Sequence, residues 1–87
     1  MFTGIIQEIG EIKQIRKKGD GLAIGVTAPK IATSLRKGDS VGINGACQTA
    51  TIIGDDWFEV YAMLETVNRT NFKAFQTGTQ VNLELPL

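Results

Sequence analysis

The sequence has no histidine and a single cysteine, Cys47. Without imidazole there is no triad built on an internal histidine. With one thiol there is no intrachain disulfide and no zinc site made of several His or Cys ligands. One unpaired thiol suits a reducing compartment, and the cytoplasm is the expected location. Neither sign of charge is in excess, with nine basic residues against nine acidic ones. That balance leaves no electrostatic footprint for nucleic acid or an anionic membrane, so neither is expected as a partner. No apolar run nears the ~20 residues that cross a bilayer. The opening MFTGIIQEIGEI lacks the basic start and unbroken apolar core of a signal peptide. No Pro/Ser linker, low-complexity segment or internal repeat interrupts the chain.

What is present fits one small domain. A chain of 87 residues falls below the ~100–200 residues of an average domain, so residues 1–87 are read as a single domain. Its net stability is expected at ~4–13 kcal/mol, small enough for a ligand or a partner copy to matter. Ten glycines punctuate it. Turn signals stand at Lys18-Gly19-Asp20-Gly21, Lys37-Gly38-Asp39, Asn44-Gly45, Gly54-Asp55-Asp56 and Thr77-Gly78. Between them lie short runs rich in Ile, Val, Thr and aromatics. That rhythm predicts an all-β barrel or sandwich, with strands near 4–16, 22–27, 39–44, 47–53, 57–62 and 79–85.

Three segments need arbitration. In the first, Ile5, Ile9, Ile12 and Ile15 recur at a helical spacing. Their β-branched side chains and the central Gly10 favour a long bent strand, with a bulge at Gly10 resetting its inward face. Residues 29–35 read as a short helix opened by Pro29 and stopped by Gly38. Residues 64–71 read as a single turn, because Thr66, Val67, Asn68 and Thr70 are poor helix formers.

Few residues carry chemistry on their own. Cys47 follows the Asn44-Gly45 turn, and its simplest role is a small buried apolar group. Thr49 alternates with it and shares its face, so a groove there would receive a thiol and a hydroxyl. Ser40 opens the preceding strand. Glu65-Thr66 is either a helix start or a polar pair in a pocket. Trp57, Phe58 and Tyr61 share one strand, with at least one expected in the core. Arg16-Lys17-Lys18 is a solvated turn, and Gly19-Asp20-Gly21 lacks the Lys-Ser/Thr of a phosphate loop.

Read in order, the motifs resemble a known family. They are Met1-Phe2-Thr3-Gly4-Ile5-Ile6, Gly38-Asp39-Ser40-Val41, Ile43-Asn44-Gly45-Ala46-Cys47-Gln48-Thr49, Glu65-Thr66, Arg69-Thr70-Asn71 and Gly78-Thr79-Gln80-Val81-Asn82-Leu83-Glu84. Together they resemble the amino-terminal half of alpha-chain riboflavin synthases and the related lumazine proteins. The resemblance implies a six-stranded antiparallel Greek-key barrel with one or two short helices. It implies riboflavin or 6,7-dimethyl-8-ribityllumazine as ligand, with no external cofactor and no metal. In the two-barrel family, a transferase reaction moves a four-carbon unit between two lumazines, in a homotrimer whose sites lie between barrels of neighbouring subunits.

Residue by residue, the resemblance assigns ligand contacts to Gly4, Ile5, Ile6, Cys47, Gln48, Thr49, Tyr61, Ala62, Met63, Leu64, Glu65 and Thr66. It sets Ser40, Cys47 and Phe2 beside the reacting ring. Ala50 departs from the family pattern, as do Gln48 and Tyr61, and the last two are expected to alter the pocket wall. A single barrel is expected to bind ligand with little or no turnover and to pair as a homodimer. The alternative is a non-catalytic flavin or lumazine carrier.

Overall fold

Alternation governs the strands. Along β5 (Trp57–Met63), Phe58, Val60 and Ala62 are completely buried, whereas Trp57, Glu59 and Tyr61 are half-buried on the other face. A computed structural model of the chain describes residue 2 and residues 4–86. Its other elements are β1 (Glu8–Lys18), β2 (Gly21–Thr27), α1 (Pro29–Ala32), β3 (Ser40–Ile43), β4 (Ala46–Ile53), α2 (Leu64–Arg69), a 3-10 turn (Asn71–Ala74) and β6 (Gln80–Glu84). The strands close into a barrel in the order β1-β2-β5-β4-β3-β6, antiparallel throughout. Strands β3, β4 and β5 follow one another, and β6 returns beside β3, which is the Greek-key arrangement. Closure gives every strand a neighbour on both sides. No helix among the described residues is long and apolar enough to cross a membrane.

Large side chains from five of the strands fill the interior, among them Ile12, Ile24, Val41, Ile43, Phe58, Val60, Val81 and Leu83, each at most 1% exposed, and β4 adds the smaller Ala50. The α2 region caps it with Val67, Phe72 and Phe75, the two phenylalanine rings stacking at 4.7 Å. At the β3–β4 hairpin, Asn44 (φ 49°) and Gly45 (φ 84°) both take left-handed backbone. Two such residues in succession make the tight turn whose twist matches paired strands.

Four expectations are corrected. Strand β1 begins at Glu8, not near residue 4, and Ile5, Ile6 and Ile9 are 67%, 50% and 61% exposed. Its irregularity lies between Ile12 and Gln14 rather than at Gly10. There the extra residue turns Lys13 and Gln14 both outward and lets Ile15 pack inward again. Gly10 is a packing residue instead: a Cβ on it would stand 2.7 Å from Leu83 Cδ1 and 2.9 Å from Val26 Cγ1. The 64–71 region is longer than one turn, since α2 spans six residues and the 3-10 turn follows. Burial of Val67, Phe72 and Phe75 outweighs poor local propensity, and Thr70 bridges the two pieces through Thr66 O (2.8 Å) and Phe72 N–H (3.1 Å). The expected helix at 29–35 is trimmed to Pro29–Ala32, its N-terminal amides at Lys30 and Ile31 donating to the Glu8 carboxylate at 3.1 and 2.7 Å.

Gly10→Ala is expected to cost about 1–3 kcal/mol through overpacking. Gly25→Ala, where the nearest atom lies 3.8 Å from the added methyl, is expected to stay within about 0.5 kcal/mol of the parent. Urea unfolding midpoints of the two variants check the pair.

Candidate functional site

The β3–β4 hairpin fixes which side chains leave the barrel. Val41 and Gln48 pair across it and point inward, so their neighbours point out. Ser40 stands opposite Thr49 and Gly42 opposite Cys47. Gly42 also faces Glu84 of β6 on its other side. Directly opposed residues share a face, so Glu84, Gly42 and Cys47 form one outer row across three strands, with Ser40 and Thr49 in the next.

Strand β5 borders β4 on the far side. Its last described pair with β4 at this end is Ala50 with Val60. Counted outward from that pair, Thr49 and Tyr61 come next, then Gln48 and Ala62, then Cys47 and Met63. Burial keeps the same parity. Gln48 (8% exposed) and Ala62 (0%) are inside, whereas Cys47, Thr49 and Met63 are exposed.

The amino-terminal segment reaches this face from the β6 side. Gln7 N–H donates to Leu83 O at 2.8 Å, and Gly4 N–H donates to Glu84 Oε2 at 3.1 Å. Phe2 bridges to Pro86. The Phe2 ring lies over Gly42: a methyl added there would meet it at 3.5 Å and Glu84 Cγ at 3.6 Å. Phe2, Ser40 and Cys47, though distant in sequence, therefore share one surface. Cys47 is a free, exposed thiol and not a buried apolar group. An open depression of about 460 Å³ lies beside Ser40, between Leu35 and Pro86, and does not include Cys47.

The remaining nominated residues divide by geometry. Met63, Leu64 and Glu65 are exposed at the β5–α2 junction, with Thr66 half-buried next to them. Leu64 N–H donates to Asp20 O at 3.0 Å, which ties this junction to the β1–β2 turn. Tyr61 has its hydroxyl committed, donating to Lys18 O at 2.7 Å, and its ring covers Gly21. Gln48 does not wall a pocket with its side chain, contrary to expectation, because it points into the barrel. Ala62 is likewise core, so both reach the outer face only through their backbone. Sequence reasoning missed Glu84 and Gly42. The run Val81-Asn82-Leu83-Glu84 sets Glu84 on an outer face by alternation, but no local signal says which segment lies against it.

The groups on this surface are neutral hydroxyls, a thiol, exposed apolar side chains and a few carboxylates, Glu84 among them. Such a surface binds by shape and hydrogen bonding more than by charge. Among the described residues no three His, Cys, Asp or Glu side chains come together as a metal site.

Comparison with known proteins shows the family. Residues 3–86 match the family model of the lumazine binding domain. The riboflavin synthase of Bacillus amyloliquefaciens is 43% identical over 84 residues, and that of Saccharomyces cerevisiae 37% over 91 residues. Each alignment takes in 97% of this chain but only 39% and 38% of the relative. The chain thus spans about two fifths of the length of the curated relatives it matches. Among solved structures, it is similar to LumP complexed with 6,7-dimethyl-8-(1'-D-ribityl) lumazine, with a TM-score of 0.91 and 36% identity over 100% of this chain and 48% of that one. It is similar also to LumP complexed with riboflavin, with a TM-score of 0.90 and 37% identity over 98% of this chain and 46% of that one. Its sequence over nearly its whole length, and its barrel, make the chain a member of the lumazine binding domain family.

Proposed function

We propose that this barrel binds 6,7-dimethyl-8-ribityllumazine or riboflavin, noncovalently and without a further cofactor, on the outer face of β3 and β4. The observation that carries the reading is the convergence there of Ser40, Cys47 and Thr49, with Phe2 and Gly4 at one side; counting along β5 from the Ala50–Val60 pair sets Met63 toward the other. A planar heterocycle needs an apolar slot and backbone groups along its pyrimidine edge. Ile5, Ile6, Met63 and Leu64, each at least half exposed, supply the apolar surface. The Gly4 carbonyl and the backbone of Ile5, Ile6, Gln48, Ala62, Glu65 and Thr66 supply the donors and acceptors. Ser40 and Thr49 are small polar partners for ribityl hydroxyls. LumP, which binds these ligands in its solved complexes, supports the reading through its likeness to this chain.

Titrating riboflavin with tens of micromolar protein, a concentration of the order expected from the affinity scale, should quench flavin fluorescence. Thr49→Val should weaken binding by about 1–2 kcal/mol through the lost hydroxyl contact. An affinity unchanged by Thr49→Val would return that residue to a purely structural role.

Within the longer relatives, this domain belongs to a riboflavin synthase reaction in which a four-carbon unit passes between two lumazines. The substrate's own ring acidifies the methyl protons that are lost. The protein's task is then orientation, with Cys47, Ser40 and Phe2 beside the ring. One barrel offers a single set of these groups, and the reaction needs two stacked ligands. These 87 residues alone are therefore expected to bind ligand with little or no turnover. Incubation with the dimethyl-ribityllumazine should yield no riboflavin above a protein-free control. Formation at about 1 s⁻¹ or faster would make one barrel a sufficient catalyst.

Exposed Ile5, Ile6, Met63 and Leu64 also favour self-association. A two-fold homodimer is the simplest closed arrangement for the single barrel, with a homotrimer for the two-barrel form. Sedimentation velocity should show dimer at high concentration, and a strict monomer with and without riboflavin would remove this claim. Balanced charge argues against nucleic acid and membrane as partners, and a free thiol suits the cytoplasm.

A further inference from the structure

We infer that Glu84 is a positioning residue, whose carboxylate holds the strap of residues 4–6 in the conformation that receives the ligand. The inference rests on the flavin or lumazine reading of the outer face. The strap has no regular secondary structure. The side chains of Ile5 and Ile6 are 67% and 50% exposed, so burial in the core does not set its course. Polar pins do. At one end Gln7 is anchored twice, its N–H donating to Leu83 O at 2.8 Å and its Oε1 accepting from Leu85 N–H. At the other end Gly4 N–H donates to Glu84 Oε2 at 3.1 Å.

Gly4 adopts φ +82°, a left-handed backbone that few other residues take without strain. Glu84 is able to reach it because its cross-strand neighbour is Gly42, which has no side chain to fill the space shared by Glu84 Cγ and the Phe2 ring. A carboxylate accepting a backbone N–H is stronger than a neutral pair. Fixing a loop in its bound form raises affinity by removing the entropy of ordering it. Glu84 therefore acts through Gly4 and the strap and need not touch the ligand.

Glu84→Ala and Glu84→Gln separate this role from a merely structural one, since glutamine keeps an oxygen that accepts from Gly4 and alanine keeps none. Three quantities are measured: amide hydrogen exchange at Gly4 without ligand, riboflavin affinity by flavin fluorescence, and the urea unfolding midpoint. Glu84→Ala should speed Gly4 exchange roughly tenfold or more and weaken riboflavin binding about 5–20-fold, with the midpoint nearly unchanged. Glu84→Gln should recover most of both losses. The proposal is overturned if Glu84→Ala binds riboflavin as the parent does, if Gly4 exchange is unaltered, or if affinity falls only in step with the midpoint. Should the parent chain itself fail to bind riboflavin, it is the ligand reading that fails. Gly4 exchange in the two variants then still decides whether Glu84 pins the strap.

Discussion

Strand β6 closes the barrel, and both the core and the outer face depend on that closure. It is five residues long and pairs on one side with β1, from Glu8 against Leu83 to Glu11 against Gln80. On the other side it pairs with β3 through Gly42 against Glu84 and Ile43 against Leu83. Its inward residues, Val81 and Leu83, are at most 1% exposed. Its outward residues do a second job: Asn82 exchanges hydrogen bonds of 2.8 Å with Asn44 of the hairpin turn, and Glu84 receives Gly4. Without β6, strands β1 and β3 would both become open edges, and the amino-terminal strap would lose the surface it lies on.

Period-two geometry then ties interior to exterior. Each strand has only two faces, so a one-residue slip of β4 would bury Cys47 and Thr49 and expose Gln48 and Ala50. The hairpin at Asn44-Gly45 and the inward pair Val41–Gln48 guard against that slip. The irregularity in β4 falls beyond Ala50, between Ala50 and Ile52, where Thr51 Oγ1 donates to Glu59 O at 3.1 Å. Because it lies past Thr49, the face bearing Cys47 and Thr49 keeps its register.

Much of this was legible in the sequence because strands and turns are local. The glycine-based turns delimit six strands whose bounds differ from expectation by a few residues, with the largest error at the start of β1. Cys47 and Thr49 share a face, as alternation requires. The ordered motifs point to the lumazine binding domain family, to which the chain belongs. Legibility failed where a distant segment outweighs a local preference. Poor helix formers become α2 because Val67, Phe72 and Phe75 have a barrel end to cover. Gly10, which read as a bulge, is a glycine because Leu83 and Val26 crowd it.

The sequence by itself therefore determined where the chain turns, where it extends, and which side chains lie on the same side of each strand, since these follow from backbone preference and a two-residue period. Tertiary structure decided which side is the inside, where the register shifts, and what meets across the surface. Alternation defines two faces of β4 without saying which one the core covers, so Gln48 is buried and Cys47 exposed only because β3 and β4 curl toward Leu83 and Phe58. Gly4 and Glu84, eighty residues apart, meet only when β6 completes the ring. No local pattern encodes that contact, because its energy exists only once the barrel has closed.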